Sequence, residues 1–457
     1  MKIAVLADLH ATNNPDCLQW KAFEDAFYNV VMANYTDLLV IAGDMIMPGA
    51  VPAAEMMRKA LARIPVPMIA TMGNNEEGIE DYAKRFPFKT SFVTDEAEIY
   101  AMEADRPAPN GKPRMIVGHY PLDESPEEGA LYVAGHRHLD KVGGMSQLVR
   151  GMDPDKAIGG PAVAIFSVNG GKWTRRDIPL PMFDLAQWTD DDKSAFAACL
   201  GVSVKRDPDA MLAELAAAGV RNVEFRWHVT PSAAALDSWK AQTNGHISVH
   251  LPDIGLDANI DEIVGFVRQW LSLGASQFTI HVPKVSVKVL AVPENMDKIV
   301  DLYAAVIAAA KGAVIGIENM HTKVGEPLEE RRFGYIPSEQ RQIIELLRKR
   351  LPDANIGPLL DIGHARNNLP YSSIYNLSEW YRQFGPELNG MHIHQVETDD
   401  TGYHNHNAFR GLFTRLISLS SLLYAWRNGL IRRCPLFIET DEDWKITWQT
   451  FQRELLS

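Results

Sequence analysis

A chain of 457 residues is too long for one ordinary domain and implies two or three, each able to bury a full core. Its 46% hydrophobic and 23% charged content is that of a soluble globular protein, and no apolar run is long enough to span a bilayer. The formal net charge of −13 argues against a broad, sequence-blind nucleic-acid surface, while Cys17, Cys199 and Cys434, far apart and without metal or redox spacing, suit a reducing, cytoplasmic compartment.

The opening residues Met1 to Ala7 read as a first strand that runs into Asp8 and His10 rather than into a signal-peptide cleavage site. Four more apolar stretches follow: Leu38 to Ala42, Met68 to Thr71, Met115 to Val117 and Leu131 to Ala134. Each leads into a polar run, in order Gly43-Asp44, Gly73-Asn74-Asn75-Glu76, Gly118-His119 and Gly135-His136-Arg137-His138. Taken singly, such runs are ordinary turns. Five in order, each where a buried strand ends, gather ligand groups at one edge of an α/β sheet. Two divalent ions ~3.5–4 Å apart need one bridging carboxylate, flanking neutral imidazoles and an open face for substrate. Asp44 is the natural bridge; Asp8, His10 and His138 would complete one shell, and Asn74, His119 and His136 the other. The glycines in these runs let the backbone turn sharply out of each strand.

These runs resemble the calcineurin-like metallophosphoesterase superfamily over residues 1–180. The resemblance implies a four-layer αββα sandwich that hydrolyses phosphoesters with two divalent metals, manganese, iron or zinc. Most members carry a His after the metal-binding Asn; here Asn75 stands there, as in the branch that often acts on phosphodiesters. Asn75 is expected to donate a hydrogen bond to a phosphoryl oxygen, although it carries no proton, and Arg137 to help hold the phosphate.

A composition change near residues 179–193 places the first domain at 1–182, a linker at 183–193 and a second domain at 194–457. Helical patterns at Asp209 to Ala218, Asn259 to Leu273, Met296 to Ala310, Ser338 to Arg350 and Leu412 to Arg427 alternate with short apolar runs. Those runs are Asn222 to Trp227, His246 to Leu251, Gln277 to Val282, Ala313 to Glu318, Asn355 to Asp361, Leu388 to His394 and Pro435 to Glu439. With an eighth strand expected near residues 400–412, they fit a (β/α)8 TIM barrel. At the C-terminal ends of these strands fall His250, His281, Glu318, Asp361 with His364, His392 with His394, His404 with His406, and Glu439. That is more than one ion needs and suggests two or three. Arg226, Lys284, Lys323, Arg331, Arg332 and Arg366, all after predicted strands, are candidates for a local basic cleft.

Ile317-Glu318-Asn319, Asp361-Ile362-Gly363-His364, Met391-His392-Ile393-His394 and the run from Pro435 to Thr440 resemble the xylose isomerase-like barrels, most of all their endonuclease IV group. The resemblance covers residues 195–457 and implies two or three zinc (or manganese) ions. It assigns His250, His281 and Glu318 to the most exposed ion, and Glu318, Asp361, His392 and Glu439 to a second. His364, His404 and His406 fall to a third, where the group has Asp in place of His404. His392 is favoured over His394 by spacing, with His394 either a supporting group or the true ligand. Two chemistries compete in such barrels: proton transfer between adjacent carbons around a single ion, and phosphodiester hydrolysis around the fuller set. The sequence reading is therefore a bifunctional phosphoesterase acting on a phosphodiester of DNA or a nucleotide, with Glu318 and Glu439 positioning water in the barrel. The alternative is a phosphatase joined to a sugar(-phosphate) isomerase or epimerase.

Overall fold

The computed structural model describes residues 1–457 apart from 78, 80–87, 324–325 and 400–401. By contact the chain divides into two units, Met1–Gln187 with Phe413–Tyr424, and Trp188–Leu412 with Ala425–Ser457. The break between Gln187 and Trp188 lies within the segment read as a linker, of which Asp190 onward already forms the helix Asp190–Cys199. Thr189 starts that helix through a capping box with Asp192, satisfying amides that a helix end leaves without partners.

The first unit holds two five-stranded sheets. One contains β1 (Lys2–Leu6), β2 (Leu38–Ala42), β3 (Met68–Thr71), β9 (Ala162–Asn169) and β10 (Lys172–Pro179), in the order β10-β9-β1-β2-β3. The other runs in sequence through β4 (Ser91–Val93), β5 (Glu98–Ala101), β6 (Arg114–Val117), β7 (Leu131–Ala134) and β8 (Ser146–Leu148). Alternation along the strands sorts the core into layers. Ile3, Val5, Val40 and Ile69 pack with Ile99, Met115, Val117 and Val133 between the sheets, while Ala4, Leu6, Leu39 and Ile41 pack under helices α1 (Leu18–Asp25) and α2 (Val51–Leu61). Because β1, β2 and β3 are mutually parallel, as are β6 and β7, their C-terminal ends deliver polar loops to shared edges.

The second unit is a closed parallel barrel of β11 (Leu200–Val204), β12 (Asn222–Arg226), β13 (His246–His250), β14 (Gln277–His281), β15 (Val314–Glu318), β16 (Asn355–Asp361), β17 (Gly390–Ile393) and β22 (Leu436–Ile438). Helices such as Ile260–Ser272, capped by Asn259, link successive strands. The strand expected near residues 400–412 is not a barrel stave. The missing stave is β11, Leu-Gly-Val-Ser-Val, fully buried but short enough to hide behind the helix before it. Gln395–Asp399 (β18) and Gly402–Asn407 (β19) instead form an antiparallel hairpin. The expected helix from Leu412 also shortens to Ser420–Arg427: Phe413–Thr414 (β20) and Ile417–Ser418 (β21) turn back on each other, with Arg415 in the left-handed region at φ 59°. This hairpin belongs to the first unit, where the Ser418 amide donates to Asp155 (3.1 Å) and the Gly159 amide to Phe413 (2.7 Å).

Within the second sheet Arg114 is 3% exposed and forks between Glu98 (2.6 Å) and Glu127 (2.6 Å). Arg114→Met leaves the buried Glu98 carboxylate without its cation and is expected to cost about 3–5 kcal/mol of stability, measured by urea unfolding of the first unit's transition.

Candidate metal centres

Two clusters of carboxylates and imidazoles stand at strand ends, one in each unit. In the first, the Asp8 amide donates to Gly43 (3.1 Å) and the His10 amide to Asp44 (3.1 Å), stitching the loops after β1 and β2 together. Asp44, His119 and His136 bring one ligand atom each to within 4.8 Å of one another. Asn74 adds its side-chain oxygen 3.2 Å from His119 Nε2. Across Asp44 lies His10, Nε2 at 3.5 Å from Oδ2, with His138 stacked on it at 4.8 Å. Asp8 accepts the His136 amide (3.0 Å) and keeps Oδ2 buried without a hydrogen bond, as does His138 at Nδ1. These three line the other side of Asp44 without forming so tight a set as Asp44, His119 and His136. The structure thus gathers the other six predicted ligands around Asp44.

Backbone strain marks the same residues. Asp8, His10, Asp44, His136 and His138 all take positive φ, between 51° and 70°, which costs a non-glycine residue about 1 kcal/mol or more. Gly43 turns in the left-handed region at φ 83°, while Gly73 serves as space: a Cβ on it would lie 2.1 Å from Asp44 Oδ1. Asn75 points inward. It is buried, its side-chain Nδ2 donating to the Ile46 carbonyl (2.9 Å) and its backbone N–H to Asp44 Oδ1 (3.0 Å), because the turn Asn74–Glu77 aims it back at the loop after β2. Arg137 is exposed between two ligand imidazoles.

Two supporting carboxylates escaped the sequence reading. Asp153 holds His10 Nδ1 at 3.1 Å, leaving Nε2 for Asp44, and is itself held by Gln19 (2.9 Å). Glu76 accepts amides of Asp44 (2.9 Å), Met45 (2.7 Å), Ile46 (3.3 Å) and Gly73 (2.7 Å), fixing the bridge's loop against the Asn74 loop. Glu76 was visible in its motif; nothing local distinguishes Asp153.

In the barrel, three groups share a rim. His250, His281 and Glu318 form one, with His250 Nε2 at 3.0 Å and His281 Nε2 at 3.5 Å from Glu318 Oε2. Glu318, Asp361, His392 and Glu439 form the second, with His392 Nδ1 at 3.3 Å from Glu318 Oε1 and 2.9 Å from Glu439 Oε2. The third is His364, His394 and His406. Both members of the His392/His394 pair are used, in different groups, and His394 ties the third to the second through Asp361 at 3.0 Å. His404 is in none of the three groups. It is exposed on β19, because a register shift between Gln395 and Glu397 and a φ of 60° at His406 bring in His406 alone. Close packing again needs glycine: a Cβ on Gly363 would lie 1.8 Å from His394 Cε1.

A further buried carboxylate, Glu224 on β12, pairs with His392 Nε2 at 2.7 Å and accepts from Ser248 (3.0 Å) and Thr279 (2.6 Å), so His392 offers Nδ1 to the centre. Burial works to lower the pKa of His392, but Glu224 and Glu318 outweigh it and carry it up to about 10. Burial, with Arg226 and His281, takes His250 down to about 4, leaving it neutral and fit to ligate. Glu318 Oε1, His392 Nδ1 and Glu439 Oε2 are buried without hydrogen bonds and converge on one point, as the ligands of a divalent cation would. Of the expected basic cleft, Arg331 is committed to Glu339 (2.5 Å) and Arg332 to Asp253 (2.9 Å), which in turn holds His281 Nδ1 at 2.8 Å.

Residues 1–160 match the family model for calcineurin-like phosphoesterases, and residues 212–419 that for the xylose isomerase-like TIM barrel. The chain joins a calcineurin-like phosphoesterase region to a xylose isomerase-like barrel. No curated protein matches it. Among solved structures it is similar to a xylose isomerase domain protein from Alicyclobacillus acidocaldarius (16% identity, 56% of this chain and 98% of that one, TM-score 0.42). It is also similar to an AP endonuclease, family 2, from Brucella melitensis (12%, 56% and 98%, 0.40) and a sugar phosphate isomerase/epimerase from Parabacteroides distasonis (14%, 57% and 95%, 0.37). Likeness this distant says nothing about the reaction. Both families typically bind divalent metals, and the ligand groups of the phosphoesterase region and of the barrel fit them.

Two expectations follow for these centres. Asp153→Asn and Glu224→Gln should each weaken metal retention about 10–100-fold, only at the centre each supports, in competition with a chromogenic chelator. For the phosphoesterase centre, burial pushes Asp8 up to about 6 against the pull of His10 and His119. Burial works to lower His119, but Asp44 outweighs it and carries it up to about 9. Both protons must leave before a cation enters, so affinity should climb between about pH 5 and pH 9, with proton release seen by calorimetry in paired buffers; a flat profile would contradict this assignment.

Proposed function

We propose that the chain is a bifunctional, cytoplasmic, metal-dependent phosphoesterase acting on phosphodiesters of a nucleic acid or a nucleotide-like substrate. In this reading two divalent ions serve the first centre and two or three zinc or manganese ions the barrel. The observation that carries it is the surplus of ligands at the barrel rim. Proton transfer between adjacent carbons needs one ion, which Glu318, Asp361, His392 and Glu439 could hold alone; His250 with His281, and His364 with His394 and His406, would then have no purpose.

When bound, the metals would supply Lewis acidity toward phosphoryl oxygens and lower the pKa of water. The protein's own residues do the positioning. Glu318, at the meeting point of two groups, and Glu439, with Oε2 turned inward, orient a water for in-line attack on phosphorus. In the first centre Arg137 reaches outward from between His136 and His138 and can meet a phosphate. Asn75, buried against Ile46, keeps the Asn74 turn in place rather than touching substrate.

The second reading, a phosphatase joined to a sugar-phosphate isomerase or epimerase, draws on the four-residue group at Glu318, which by itself suits single-ion proton transfer. Hydrolysis of an aryl phosphodiester and of single-stranded, duplex and abasic-site DNA separates the two. Asp44→Ala and Glu318→Ala should each abolish a different activity, by about 100-fold or more since each removes a shared ligand. If Glu318→Ala spares all hydrolysis yet stops solvent deuterium exchange into sugar phosphates, the second reading replaces the first.

A further inference from the structure

Round the barrel rim, β13 to β17 and β22 each deliver at least one of the candidate ligand side chains described above, from the last residues of the strand or just beyond it. The two staves left over, β11 and β12, are neighbours, and both carry cations instead. Lys205 directly follows β11, and Arg226 closes β12. Neither is used by the ligand groups.

Both converge on one atom. Arg226 Nη2 pairs with Glu439 Oε1, and Lys205 Nζ lies 3.8 Å from the same oxygen and 2.6 Å from Asp441. Their side chains are 21% and 24% exposed, so they face the open mouth rather than the core. Arg226 also stands directly beside His250 of the first group in the strand register.

Charge decides what they are for. The three groups contain three carboxylates, Glu318, Asp361 and Glu439, while two or three divalent cations bring four to six positive charges. Glu439 is then neutralised from the metal side and has no need of two further cations. A guanidinium fork beside an ammonium, next to metals and open to solvent, is suited to a phosphoryl group. We propose that Lys205 and Arg226 form the anion-binding wall of the barrel site, selecting a substrate that carries a phosphate group over a neutral sugar. The proposal rests on a metal-loaded barrel, but holds whether that barrel hydrolyses or isomerises.

The test is calorimetric titration of inorganic phosphate into the zinc-reconstituted full chain, in an Asp44→Ala background that disables the first centre. Phosphate should bind, and Lys205→Met or Arg226→Gln should each raise Kd at least about 10-fold, the double variant more, with the barrel's metal content by mass spectrometry unchanged. An unchanged Kd in the double variant, or no phosphate binding in the Asp44→Ala chain, overturns the proposal. Loss of metal from either variant would show that the pair only steadies Glu439, and overturns it too. A failed hydrolysis assay with these binding results intact would instead strike the phosphoesterase reading alone.

Discussion

Everything in this molecule that bears on chemistry depends on holding carboxylates of like charge together out of water. Glu318 is wholly buried, with Asp361 and Glu439 in the same group and both nearly inaccessible. Such a cluster is stable only if positive charge is delivered to it. The barrel supplies part of that charge through imidazoles, four of which lie within 3.5 Å of Glu318, and leaves ligand atoms facing one another where a cation completes the balance. Asp44 states the same problem on a smaller scale: burial works to raise its pKa, yet His10 and His119 hold it well below the usual carboxylate range.

Two unrelated architectures meet this constraint in one way. Parallel strands end on a common edge, and the residue at or just beyond each end points at its neighbours' counterparts. In the barrel, strand register aligns most of the rim, since Arg226 lies beside His250, His281 beside Glu318, and Asp361 beside His392, while a register shift and a positive φ bring in His406. In the sandwich, two separate sheets must be brought to one point, and alignment costs left-handed backbone at five of the predicted ligands. Buried carboxylates behind the ligands, Asp153 and Glu76 in one unit and Glu224 in the other, then fix ring orientation and loop position.

Most of this was legible in sequence because strand-end ligands announce themselves: an apolar run followed by Asp, His or Glu marks both the element and its chemistry. Asp8, Asp44, His119, Glu318, Asp361 and Glu439 were all singled out in this way, and the structure places each of them in one of the two clusters. What escaped lacked such a signal. β11 is five residues between a helix and a turn, indistinguishable by pattern from a helix end. Glu224 lies in mid-strand, where alternation places it inward but does not say that His392 awaits it. His404 and His406 look equivalent on paper, and only a bulge and one positive φ separate them. The direction in which the Asn74–Glu77 turn points Asn75, toward Ile46, has no sequence signal either.

The most direct test of two separate polymetal centres is anomalous diffraction from crystals of the full chain grown with zinc and manganese, recorded at both absorption edges. Two peaks are expected flanking the Asp44 carboxylate, and at the barrel rim one on each side of Glu318 with a third beside His364, His394 and His406. A single barrel peak enclosed by Glu318, Asp361, His392 and Glu439, with nothing at either flanking group, would contradict this assignment.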